Sequence, residues 1–153
     1  MSDAALQAAI AQARQRSLAW YASLQAAGQT SGVARVSAAH DPQRWPGMLL
    51  PGTYNAVMGR ALLGGLGTLP VQGRRALAQW MLAQRRSDGV FRMEGMHDDA
   101  VSKKPALADT WAYIDFHVTN YSLGALEFLD PAAAPTLDFA HQYLDSQLLK
   151  AWL

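Results

Sequence analysis

A hexapeptide occurs twice in this chain, each time just behind an apolar segment of helical period. Ser31-Gly32-Val33-Ala34-Arg35-Val36 is matched by Asp88-Gly89-Val90-Phe91-Arg92-Met93, 57 positions later. Both copies read as a turn residue, Gly, Val, a small or aromatic residue, Arg and an aliphatic. A second echo links Thr53-Tyr54-Asn55-Ala56-Val57 to Thr119-Asn120-Tyr121-Ser122-Leu123, 64 to 66 positions on. A period of about 50–65 residues suits one helix pair with its loops, and is too long for the shorter solenoid repeats. The chain is therefore expected to be all-α, built from antiparallel helix pairs.

The best-formed helix end runs from Arg75 to Phe91. Leu77, Trp80, Met81 and Gln84 fall on one face at helical spacing, and Ser87-Asp88-Gly89 is expected to break the helix. Glycine tolerates the left-handed geometry that a C-terminal cap uses. Val90 and Phe91 then fold back onto the apolar layer. This stretch resembles the helix-end motif of the prenyltransferase and squalene/terpene cyclase repeat superfamily. That motif has a basic and a small residue, an aromatic, aliphatics, Gln, then Asp-Gly and a terminal aromatic. Phe91 stands where Trp is usual, and one extra residue separates Gln84 from Asp88. The resemblance implies an α/α toroid of inner and outer helices around a central cavity.

In chain order, Ser2 or Asp3 is expected to cap a first helix over about Ala4–Ala27, ended by Gly28. A loop follows from Ala38 to Gly52, where Pro42, Pro46 and Pro51 disfavour helix. Thr53 caps a second helix over about Tyr54–Leu66. Gly59, Gly64 and Gly65 in it cost roughly 1 kcal/mol each relative to Ala, which points to close approach of a neighbouring helix. A third helix covers Val71–Arg86, and a polar loop runs from Met93 to Asp115. A fourth helix spans His117–Leu129, and a fifth runs from Thr136 to the terminus. On the toroid reading this makes about five helices, two and a half units of a single incomplete ring. The absence of turn chemistry after Lys150 supports a truncated ring, or one that a partner closes.

Composition narrows the functions. Only 16% of residues are charged, against about 25% in an average domain; such a balance suits stacked helices or a face meant for further protein. A net charge of +1 gives no electrostatic case for nucleic acid or an anionic membrane. No apolar run reaches the roughly 20 residues of a membrane span. With no cysteine there are no disulfides or thiolate metal sites. The N-terminus lacks the pattern of a signal peptide, so a cytoplasmic location is expected. No cofactor or metal is implied.

Polar and aromatic residues gather in the two long loops and at the starts of the second and fourth helices, which in a toroid lead to one mouth of the cavity. His97-Asp98-Asp99 invites an acid/base reading and equally a solvated or capping one. The acid motif of the squalene cyclases would need Asp where Met96 stands, and the terpene synthase and zinc motifs are also unmatched. Asp109-Thr110-Trp111-Ala112-Tyr113-Ile114-Asp115-Phe116-His117 interleaves acids with rings. Here Trp111 and Tyr113 would stack on a ligand, with Asp115 or His117 as acid or base; alternatively, Asp115 caps the fourth helix and the rings are core. The candidate catalytic residues are thus Asp98, Asp99, Asp115 and His117. Candidate ligand-binding residues are Trp45, Tyr54, Asp109, Trp111, Tyr113, Asn120 and Tyr121.

Two functions remain. One is a non-catalytic or incomplete toroid domain that contributes to a ligand cavity or an assembly, with the rest of a longer chain or a second subunit completing it. The other is an enzyme acting on a glycan or isoprenoid through the 93–117 loop. The enzyme predicts a closed pocket with a perturbed carboxylate or His at its mouth. The scaffold predicts an exposed apolar edge on the first or fifth helix.

Overall fold

The structure is a computed structural model; it describes residues 2–96, 110–133 and 135, and of 110–113 the backbone alone. Four α-helices stand among the described residues: α1 (Asp3–Ser23), α2 (Leu49–Leu62), α3 (Val71–Leu82) and α4 (Thr110–Leu129). Short 3₁₀ turns precede α2 at Pro46–Met48, follow it at Leu66–Thr68 and follow α4 at Pro131–Ala133. The fifth expected helix, from Thr136, lies outside the described residues. No strand forms among them, only two isolated antiparallel bridges.

Those bridges are the repeated hexapeptide. Behind α1 the chain turns back so that Gln25 bridges Ala34, and behind α3 Arg85 bridges Phe91. Ala26 N–H donates to the Val33 carbonyl and Arg35 N–H to that of Leu24, both at 2.8 Å. In the second copy, Arg86 N–H donates to Val90 (2.8 Å) and Arg92 N–H to Gln84 (3.0 Å). Gly32 and Gly89 turn the two hairpins at φ 95° and 90°, a region open to glycine at little cost. Gly89 therefore turns a hairpin and does not cap α3 as the sequence suggested, and Gly28, expected to end the first helix, likewise lies beyond the end of α1. α1 stops at Ser23 rather than Ala27, and α3 at Leu82 rather than Arg86, because the hairpin bonds claim the next backbone groups first.

Each hairpin is riveted to the helix that follows it. The Thr53 hydroxyl accepts the Ala34 N–H at 3.0 Å and donates to the Leu49 carbonyl at 2.7 Å. The Thr119 hydroxyl accepts the Phe91 N–H at 2.9 Å. Both threonines are fully buried. Thr53 is therefore no cap but an interior residue of α2, which starts at Leu49 and not Tyr54. Pro51 sits in the first turn of α2, where a missing N–H costs no helical bond; the proline-rich loop thus ends earlier than expected.

α2 packs most extensively on α4, with α3 against α4 and α1 against α2. One cluster joins Leu50, Tyr54 and Val57 of α2 to Leu77 and Met81 of α3, Phe91 of the hairpin, and Leu126 of α4. Close approach of α1 to α2 uses two of the three predicted glycines. A Cβ on Gly59 would overlap the Tyr21 ring, and one on Gly65 would overlap the Leu18 side chain. Gly64 instead takes φ 65° just past the end of α2. There the Arg14 guanidinium donates to the carbonyls of Leu63 and Gly64 (3.3 Å to the latter), placing a cation at the negative helix end. Ser2 caps α1 through its Oγ, which accepts the Ala5 N–H at 3.3 Å.

Candidate functional site

Three of the sequence-derived site residues come together where α2 meets α4. Tyr54 and Tyr121 stack with ring centroids 5.3 Å apart and planes at 19°. His117, one turn before Tyr121, meets its ring edge-on at 5.0 Å and 61°. Tyr54 is buried, Tyr121 half-buried and His117 exposed, so the shelf opens outward along α4. Burial first, and then the neighbouring Tyr121 phenol, push the Tyr54 hydroxyl above its ordinary value of 10.0. Asn120 is exposed on the next position of α4. The shelf offers aromatic rings and the Tyr and His polar atoms, groups that stack and hydrogen-bond.

Asp115 does not cap α4. The helix starts five residues earlier, at Thr110, instead of at His117. The Asp115 carboxylate faces Arg92, whose Nε donates at 3.1 Å and whose Nη2 makes a second, shorter bond, a bidentate pair. The hydrogen bond it donates to Asp115 is the main cause that raises the Arg92 guanidinium above its ordinary value, against an opposing contribution from burial. Such a pair holds a charge in place; it ties the second hairpin to α4. The corresponding Arg35 has Leu49 at the matching place of α2, and bonds carbonyls instead, those of Ala38 (3.0 Å) and Ser23 (3.1 Å). The Arg shared by both hexapeptides therefore does not by itself announce this pair, which needs the acid that only α4 carries at this place.

Trp45 stands apart from the shelf in what it contacts. Its ring is 44% exposed and has the Arg44 guanidinium 5.4 Å from its centroid. Its carbonyl accepts from His40 Nε2 at 2.9 Å, while His40 Nδ1 accepts the Val36 N–H at 3.4 Å. A carbonyl can only accept and an N–H can only donate, so both bonds together require the neutral Nε2–H form. His40 thereby closes the first loop as a structural residue. Asp98, Asp99 and Asp109 lie outside the described residues. Trp111 and Tyr113 belong to the first turn of α4, with their side chains outside what is described.

Apolar surface is the other feature sequence reasoning anticipated. Leu6, Ile10 and Trp20 of α1 are 41%, 53% and 50% exposed, and no residue of α1 is buried. An open groove of about 580 Å³ runs between α1 and the end of α2, lined by Ile10, Ala13, Arg14, Ser17, Leu62 and Leu63 with Gly64. Neither a carboxylate nor a histidine lines it. Among the described residues no group of acids, histidines or cysteines is arranged to hold a metal, and no helix is long and apolar enough to cross a membrane. No family model matches the chain, and neither a curated protein nor a solved structure matches it significantly.

Proposed function

We propose that this chain is a non-catalytic helical-repeat scaffold, an arc of an α/α toroid whose apolar edge is covered by further protein. The observation that carries this reading is the edge itself. Leu62 on α2 is 82% exposed beside Ile10 at 53%, at the mouth of a groove that no carboxylate or histidine lines among the described residues. Desolvating a leucine or isoleucine is worth about 1.5–3 kcal/mol, so a partner helix gains from laying its own apolar stripe there. The repeated order of outer helix, hairpin and inner helix supports the toroid arc, as does the resemblance of Arg75–Phe91 to the prenyltransferase and terpene cyclase repeats. On this reading the partner is the remainder of a longer chain or another subunit.

An enzyme acting on a glycan or isoprenoid is the second reading, favoured by one observation: Tyr54, Tyr121 and His117 form a ring shelf. Against it, Asp115, the candidate acid nearest the start of that helix, is engaged by Arg92. Hydrophobic-dye fluorescence of the native chain tests the scaffold reading. Dye should bind, and Ile10→Glu with Leu62→Glu should abolish the signal while leaving the helical circular dichroism intact. Native protein that binds no dye sinks the scaffold. Titration with a panel of oligosaccharides and prenyl phosphates, with heat release lost in Tyr121→Ala, is the result that would favour the enzyme.

A further inference from the structure

The two repeats superpose in sequence on their rivet threonines, Thr53 and Thr119, which fixes a shift of 66 positions between α2 and α4. In that register every position of one helix has a counterpart in the other, and the counterparts differ sharply in burial. Leu50, Tyr54 and Val57 share one face of α2 and are buried in the cluster that takes in Ile114 and Tyr121 of α4. Their counterparts on α4 are Phe116, Asn120 and Leu123. Phe116 is 53% exposed, Asn120 is exposed and Leu123 half-buried. Leu123 already packs against that cluster, so among the described residues the repeated face of α4 is open at Phe116 and Asn120.

The reciprocal face is open too. α4 presents Ile114 and Tyr121 to the cluster it shares with α2; Phe128, seven residues beyond Tyr121, continues the line but is 46% exposed. The counterparts are Met48, Asn55 and Leu62, two turns apart along the helix. Met48 is 41% and Leu62 82% exposed, and Asn55 is exposed. One joint of the repeat is made inside the chain, and among the described residues exposed side chains from both halves of a second, equivalent joint stand on α4 and on α2 with the turn before it.

We propose that copies of this chain associate head to tail, Asn55 and Leu62 of α2, with Met48 in the turn before it, in one copy seating on the Phe116–Asn120–Leu123 face of α4 in another. The contact continues the α2–α4 joint already made within each chain. Where that joint stacks Tyr54 on Tyr121, the intermolecular one brings Asn120 against Asn55. Two carboxamides each carry a donor and an acceptor, so the pair bonds reciprocally and fixes register. Phe116 takes the place of Leu50 as the apolar anchor. Because the two faces differ, the contact is heterologous, and it produces a ring where the rotation closes. The inference rests on the scaffold reading and names its partner as a second copy of this chain.

Light scattering on mixed variants tests it. The wild-type chain should show a mass above the monomer that rises with concentration. Leu62→Asp and Phe116→Asp each remove one face and should each be monomeric, with unchanged circular dichroism because both side chains are exposed. Their equimolar mixture should give a heterodimer, since one variant keeps the α4 face and the other the α2 face. In register, Asn55→Lys with Asn120→Asp in one chain should still associate, whereas Asn55→Asp with Asn120→Asp should not. A wild-type oligomer whose two variants fail to pair when mixed overturns the proposal, because the contact is then symmetric or lies elsewhere. A wild-type monomer overturns it as well. If that monomer binds hydrophobic dye and Leu62→Asp abolishes the signal, the open edge stands and belongs to a different protein; if it binds none, the scaffold reading falls with it.

Discussion

Thr119 holds the N–H of Phe91 at 2.9 Å across 28 residues of chain, both side chains being fully buried. Phe91 is the largest fully buried side chain among the described residues, and this bond sets the hairpin that delivers it. Removing the hydroxyl leaves a buried amide without an acceptor. Thr119→Val keeps the shape and should lower stability in urea by about 1–3 kcal/mol. Thr119→Ser should recover most of the loss. Equal stability of the valine and wild-type proteins would show that the hydroxyl is not what fixes the hairpin.

Gly52 meets the first hairpin's backbone directly. A Cβ there would lie 2.7 Å from the Arg35 carbonyl carbon and 2.8 Å from the Val36 nitrogen. Backbone cannot swing aside as a side-chain tip can, so Gly52→Ala should destabilise by about 1–3 kcal/mol. Gly124 is the internal control. It lies inside α4 and a Cβ there meets nothing within 4 Å, so Gly124→Ala should raise stability by roughly 0.5–1 kcal/mol through helix propensity. Chemical denaturation of the two variants side by side separates crowding from propensity.

How much of this could be read in advance depended on whether the cause was local. The stripe of Leu77 and Met81 was legible because helical period alone places both on one face, and both are buried. The repeated hexapeptide was legible as a turn, since Gly32 and Gly89 are needed for its left-handed corner. Thr53 was misread as a cap because its real partner, the Ala34 N–H, is 19 residues away and no local pattern announces it. Asp115 misled for the same reason. An acid ahead of an apolar run looks like a helix start, and only the arrival of Arg92 from the hairpin makes it an interior ion pair. Of the candidate site, Tyr54, His117 and Tyr121 were chosen for their place near helix starts. Their meeting follows from the α2–α4 joint, which period and propensity do not specify.

The Tyr54 phenol gives the fold a weak point in alkali. Its folded value is raised, by burial first, so the native state keeps a proton that the unfolded chain gives up near pH 10. Stability from this group is complete below the unfolded value and falls as pH rises through the folded one. Denaturation midpoints should therefore drop above pH 10, and Tyr54→Phe should flatten that drop. A tyrosinate absorbance titration should show one phenol ionising late, and lose that component in the variant. If Tyr54→Phe leaves the alkaline slope unchanged, another group carries it.

Ser122 is the place where the core carries a cost without an evident return. It is fully buried on α4, and its Oγ makes no hydrogen bond among the described residues. The corresponding position of α2 is Ala56, also buried. A hydroxyl taken from water without a partner costs about 1–3 kcal/mol by mutational measures, and alanine is the better helix former by a few tenths. Ser122→Ala loses only one oxygen of volume, so the cavity it leaves is small. The variant should be as stable as the wild type or more so, by up to about 1 kcal/mol once that lost contact is set against the desolvation. Thermal and urea melts of Ser122→Ala decide the point. A loss of stability would mean that the hydroxyl is bonded in the native protein, and that the two repeats differ here by a polar contact rather than by an unpaired oxygen.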